Sequence, residues 1–98
     1  MLSLKLQNEL FKLAREHYQL KPIEVEVVPT RDMAHGDFTS NVAMKVASRW
    51  GVTPRVAGET LLQALNASKV ITRICAKVEI AGAGFINFYL KPEILLSI

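Results

Sequence analysis

Residues 78–90 read VEIAGAGFINFYL, two alternating runs joined by a short glycine-bearing link. Runs of this kind predict two strands joined as a hairpin. Successive side chains in a strand point to opposite faces. In the second run Ile86, Phe88 and Leu90 therefore share one face, while Phe85, Asn87 and Tyr89 share the other. The first set is core material; the second, aromatic–amide–aromatic, belongs on a face turned away from the core. Strands and helices do not alternate one by one along the chain, which argues for an α+β sheet covered on one face rather than a doubly wound fold.

The rest of the chain supplies those helices. Leu6, Leu10, Leu13 and His17 recur at helical spacing from Leu2 to about Gln19, with Lys5, Glu9, Lys12 and Glu16 on the opposite side. Lys21-Pro22 ends this helix. Ile23 to Val28 alternates as a strand with one wet face, and Pro29 stops it. TRDMAHGDFTS, residues 30–40, predicts a loop or hairpin with a short strand near Asp37-Phe38. Thr39 or Ser40 then caps a helix that runs to Trp50 and closes at Gly51. Thr53-Pro54 opens another helix, with threonine at the cap and proline at the first helical position. Asn66 to Ser68 makes a turn, a strand covers Ala76 to Ile80, and Pro92 starts a last helix.

Composition narrows the function. A chain of 98 residues suits a single domain, residues 1–98. No apolar run approaches the ~20 residues of a membrane helix, and the start has no signal-peptide pattern. With one cysteine and two histidines there is neither an internal disulfide nor a metal cluster, and a cytoplasmic location is expected. The net charge of +3 permits a polyanionic partner without requiring one.

Most chemical candidates reduce to ordinary structure. His35-Gly36-Asp37 could pair an acid with a base, but without a nucleophile or metal ligand nearby it reads as a polar turn. His17 sits at the helix's inner edge, and Cys75 is a small packing residue without the basic surroundings of a reactive thiol. Asn66-Ala67-Ser68 matches a glycosylation pattern that is common by chance. The glycines at 82 and 84 do not cradle a phosphate, because a strand rather than a helix follows them.

The outer face of the last strand differs in kind. Rings on an open sheet are platforms for unstacked bases, each worth about 1–3 kcal/mol. An asparagine two positions from a ring can read a base edge with its donor and acceptor. The same face equally suits docking beneath a loop or against another domain.

HGDFTSNVAMKVA, followed about thirty residues later by VEIAGAGFINFYL, resembles the N-terminal additional domain of class I arginyl-tRNA synthetases. The resemblance spans nearly the whole chain. It implies a two-layer α-β-β-α-β-β core, with a four-stranded sheet and helices packed on one face. It also implies a tRNA-binding module that contacts the D-loop of tRNA(Arg), with Phe85 stacking on a base and Asn87 bonding its edge. Lys77 is the expected helper for the phosphates, since it lies opposite Ala76, Val78 and Ile80; Lys91 is a second, and Tyr89 extends the same face.

No catalytic residue and no cofactor are expected within these residues. ATP with Mg, arginine and the acceptor end would bind to the rest of such an enzyme, whose catalytic domain is an expected partner. The apolar finish ILLSI suits a piece of a longer chain. Two other classes stand beside this reading: a structural module that docks through the aromatic strand face, and a free-standing regulatory paralogue.

Overall fold

The computed structural model describes residues 1–21 and 24–97. Its first element, α1 (Leu2–Ala14), buries Leu6, Leu10 and Ala14 completely, at the four-residue spacing of one helix face. It ends five residues earlier than its periodicity suggests. Three-residue hydrogen bonds from Glu16 and His17 tighten the last turn and carry Tyr18 onto Trp50, with ring centroids 4.5 Å apart. His17 is consequently exposed rather than at the core boundary.

The segment after α1 was expected to form a strand from Ile23 to Val28, of which Ile23 lies outside the described residues. From Val25 onward the alternation is real, because Val25 and Val27 are buried and Glu26 is exposed. Ladder pairing begins only at β1 (Val28–Pro29). The Val27 N–H donates instead to the Gln7 side chain of α1, at 3.0 Å. Pro29, expected to stop the strand, is its last residue. Proline is tolerated there because β1 is an edge strand.

After a short 3-10 turn (Met33–His35) comes β2 (Phe38–Ser40). The cap of α2 (Val42–Val46) is Asn41 rather than the expected Thr39 or Ser40, which end β2, although the Ser40 hydroxyl accepts from the Val42 N–H. A 3-10 turn, Ala47–Trp50, completes that helix and stops at Gly51, as its cap signal predicts. Helix α3 (Pro54–Ala67) begins where Thr53-Pro54 places it, with the Thr53 hydroxyl accepting from the Val56 N–H at 3.1 Å.

The Asn66–Ser68 turn is in fact a junction into a further helix, α4 (Lys69–Ile74), capped by Ser68. Ser68 also donates to Glu9 Oε2 of α1 at 2.6 Å, fixing the junction to the first helix. Strands β3 (Cys75–Ala81) and β4 (Phe85–Leu90) and a short α5 (Pro92–Leu95) complete the order.

The four strands form one antiparallel sheet in the order β1-β2-β4-β3, so β4 is interior. Its inner face, Ile86, Phe88 and Leu90, packs with Leu6 and Leu10 of α1, Val42 and Val46 of α2, Leu61 and Leu65 of α3, and Ile71 and Ile74 of α4. This is the α+β layering that the order of helices and strands predicts. The other face of β4 stays free of this helical core.

Candidate nucleic-acid interface

Strand pairing arranges the outer face in rows. Val28, Thr39, Asn87 and Glu79 form one row across all four strands. Ala81 and Phe85 form the next row, and Lys77 and Tyr89 the row on the other side. The hairpin turn is held against the start of α3: a Cβ at Gly84 would lie 3.0 Å from the Pro54 Cβ.

The 28–32 segment and His35 rise on one side of this face, while Ala81, Gly82 and Phe85 stand on the other. Thr39 and Asn87 lie on the sheet between them. Together they line a cavity of about 610 Å³. Phe85, 42% exposed, offers its ring to this space. Asn87, expected on a wet face, is on the predicted side of the strand but only 2% exposed. Its Oδ1 accepts from the Thr39 hydroxyl at 2.7 Å.

The wall formed by the 30–37 loop is fastened to β4. Asp37 N–H donates to the Phe88 carbonyl at 2.8 Å, and the Leu90 N–H donates to Asp37 Oδ2 at 2.8 Å. Gly36, with φ of +88°, lets the chain pass over this point, and the Thr30 hydroxyl donates to the Gly36 carbonyl. The HGD segment is therefore the polar turn that its sequence suggests. His35 faces Asp32, 3.6 Å away, while Asp37 is turned into the strand, so the two do not form an acid–base pair.

The other expected site residues lie apart from the cavity. The Tyr89 hydroxyl reaches Glu79 Oε1 at 2.8 Å and the Ala34 carbonyl at 2.9 Å, so its one proton has two acceptors. Lys77 Nζ sits 4.4 Å from the centre of the Tyr89 ring and 3.5 Å from Glu79 Oε2. The Tyr89 hydroxyl, more than Lys77, holds the Glu79 carboxyl below the usual carboxylate range, while the bond to Glu79 raises the phenol. Lys77 thus has an anion of its own. Lys91 stands at the head of α5, where its N–H donates to the Ile74 carbonyl and its charge acts on Cys75.

Sequence reasoning missed Thr39, Glu79 and Arg31, the last a cation among the cavity-lining residues. Glu79 was within reach of the parity argument, since it shares the outward side with Lys77. Among the described residues no group of three or more His, Cys, Asp or Glu side chains could hold a metal.

Cys75 is buried, and burial first, then Asp37, pushes its thiol up to about 12, against a smaller lowering by Lys91. A raised thiol favours the folded state fully below the ordinary value of 9.0, and that contribution is lost as pH rises toward about 12. At pH 8 the folded protein should leave a thiol-reactive chromogenic disulfide unconsumed, with full reaction only in denaturant; rapid native reaction would contradict the buried assignment.

A family model described as "Arginyl tRNA synthetase N terminal domain" matches residues 2–90. The chain belongs to this family. The arginine–tRNA ligase of Pseudomonas putida F1 is 46% identical over 73 residues, covering 74% of this chain and 12% of the relative. That of Ectopseudomonas mendocina is 46% identical over 71 residues, and that of Azotobacter vinelandii 44% over 71. In both, the match covers 72% of this chain and 12% of the relative. The chain therefore spans about an eighth of the length of these ligases. No described helix of this arginyl-tRNA synthetase N-terminal domain is long and apolar enough to cross a membrane.

Proposed function

We propose that the domain is the tRNA-binding module of a cytoplasmic arginine–tRNA ligase, and that its cavity receives an unstacked base of the tRNA(Arg) D-loop. The observation that carries this reading is the joint placement of Phe85 and Asn87 on one cavity, outside the helix-packed core. Phe85 supplies a stacking face, and Asn87 a polar group recessed where a base edge would arrive. Arg31 among the lining residues suits a neighbouring phosphate better than Lys77, which is engaged by Glu79. ATP with Mg, arginine and the acceptor end bind, on this reading, to the ligase's catalytic domain.

The test is equilibrium binding of tRNA(Arg) by the complete ligase. Phe85→Ala should weaken binding by about 1–3 kcal/mol, roughly 5- to 150-fold. Affinity should also fall steeply with salt, through counterion release. Unchanged affinity for both Phe85→Ala and Asn87→Ala would remove the base-holding role. The largely apolar surroundings of Phe85, which include Val28 and Pro29, also suit docking of a protein segment, and binding indifferent to salt would favour that instead.

A further inference from the structure

We propose that Arg31 and Arg55, on opposite walls of the cavity, hold the tRNA phosphates on either side of the unstacked base, so that the D-loop backbone runs from the 30–37 loop to the hairpin turn. This rests on the reading that the cavity receives such a base.

A base drawn out of its stack leaves its sugar–phosphate chain at the mouth of the site, with one phosphate before it and one after it. A cation on each wall answers that arrangement. Arg31 is exposed on the loop wall, and among the described residues no carboxylate stands within ion-pair distance of it. Asp32, the one acid lining the cavity, is held inside its own loop by the Ala34 N–H at 3.0 Å and by His35 at 3.6 Å.

Arg55 brings the second charge. It is the second residue of α3, and its Nη1 donates to the Gly82 carbonyl at 3.3 Å. Gly82 lines the cavity beside the Phe85 ring, whose Cδ2 lies 3.8 Å from where a Gly82 Cβ would stand. The guanidinium is thus anchored to the wall that carries the stacking ring, yet the side chain is 56% exposed. Glu59 approaches its Nε only to 3.9 Å, an exposed helical pair of little worth. A guanidinium has five N–H donors, so contacts with Gly82 and Glu59 leave three for a phosphate. Lys77 differs, because its ammonium is shared between Glu79 and the Tyr89 ring. The loop wall is tied to Tyr89 and the turn wall ends at Phe85, which are separated by about 13 Å of extended strand. Walls so far apart meet different phosphates.

The complete ligase is titrated with a tRNA(Arg) transcript over a range of salt concentrations. Each phosphate contact to a single strand adds about 0.7 to the steepness of log affinity against log salt. Arg31→Gln and Arg55→Gln should each reduce that steepness by about 0.7, and both together by about 1.4. A fourfold rise in salt should then cost each single variant roughly 2.6-fold less affinity than it costs the unsubstituted ligase. Arg55→Lys keeps the charge and should keep the slope, and Lys77→Gln should leave it unchanged. Phe85→Ala should weaken binding with the slope intact.

If either arginine variant leaves the slope unchanged while Phe85→Ala weakens binding, the two-walled path is wrong and the base-holding reading survives. Weaker binding by Arg55→Gln at an unaltered slope marks a structural loss of the Gly82 bond and also overturns the proposal. So does a slope that falls for Lys77→Gln and for neither arginine, which would carry the backbone along the Tyr89 row instead. Phe85→Ala without effect defeats the base-holding reading, and with it the flanking of a held base.

Discussion

Gly36→Ala is expected to cost the domain roughly 2–5 kcal/mol, about 1–2 from the left-handed backbone and about 1–3 from overpacking. The added Cβ would lie 2.7 Å from the Phe88 carbonyl oxygen, 3.2 Å from its carbon and 3.3 Å from the Tyr89 ring. The nearest obstacles are backbone atoms of an interior strand, which cannot swing aside as a flexible side chain can. The loop would have to lift, and lifting strains both the Asp37–Phe88 bond and the Leu90–Asp37 bond. Urea denaturation measures the loss. An unchanged midpoint would show that the close passage over β4 is not obligatory.

Phe88→Ala should cost about 3–5 kcal/mol, the usual range for removing a buried phenylalanine. Phe88 has no exposed surface and lies in β4 between Phe38 of β2 and Val78 of β3. Small domains have only about 5–15 kcal/mol in total, so the variant should sit near its melting transition at physiological temperature. Phe85→Ala is the informative control. The two phenylalanines stand three positions apart in one strand, on opposite faces, and Phe85 lies outside the core. Thermal unfolding should fall sharply for the first and little for the second. Equal losses would mean that Phe85 packs into the fold and has no free ring to offer.

What could be read from the sequence followed how locally the deciding force acts. Strand β4 was read to the residue because its alternation is complete, and α3 because Thr53-Pro54 marks its start chemically. Helix α4 was hidden by Val70, Ile71 and Thr72, whose branched side chains disfavour helix in isolation. Its one signal was Ser68 acting as a cap. The Ile23–Val28 strand illustrates another limit. Periodicity reports which side chains are buried, but the partner of the Val27 N–H is a glutamine on a distant helix.

The same division holds at the cavity. Parity alone placed Phe85 and Asn87 on one face. The hydroxyl that bonds Asn87 comes from Thr39, a cross-strand partner far away in sequence, which no local pattern carries. Lys77 looked free because its charge was counted without the tie to Glu79, which needs Tyr89 from the neighbouring strand to complete it.

The Asp37 carboxylate on Leu90 has a consequence for solubility. Strand β2 is short and pairs only with Ile86, Asn87 and Phe88, leaving the last turn of the β4 ladder without a strand on that side. An uncovered N–H there would be an invitation to a strand from another molecule. Asp37 closes it with a side chain, so the loop that walls the cavity also serves as a surrogate strand. Mobility in that wall would bare an adhesive edge. A domain built this way is better served by a stiff loop over β4, because loosening it would favour self-association.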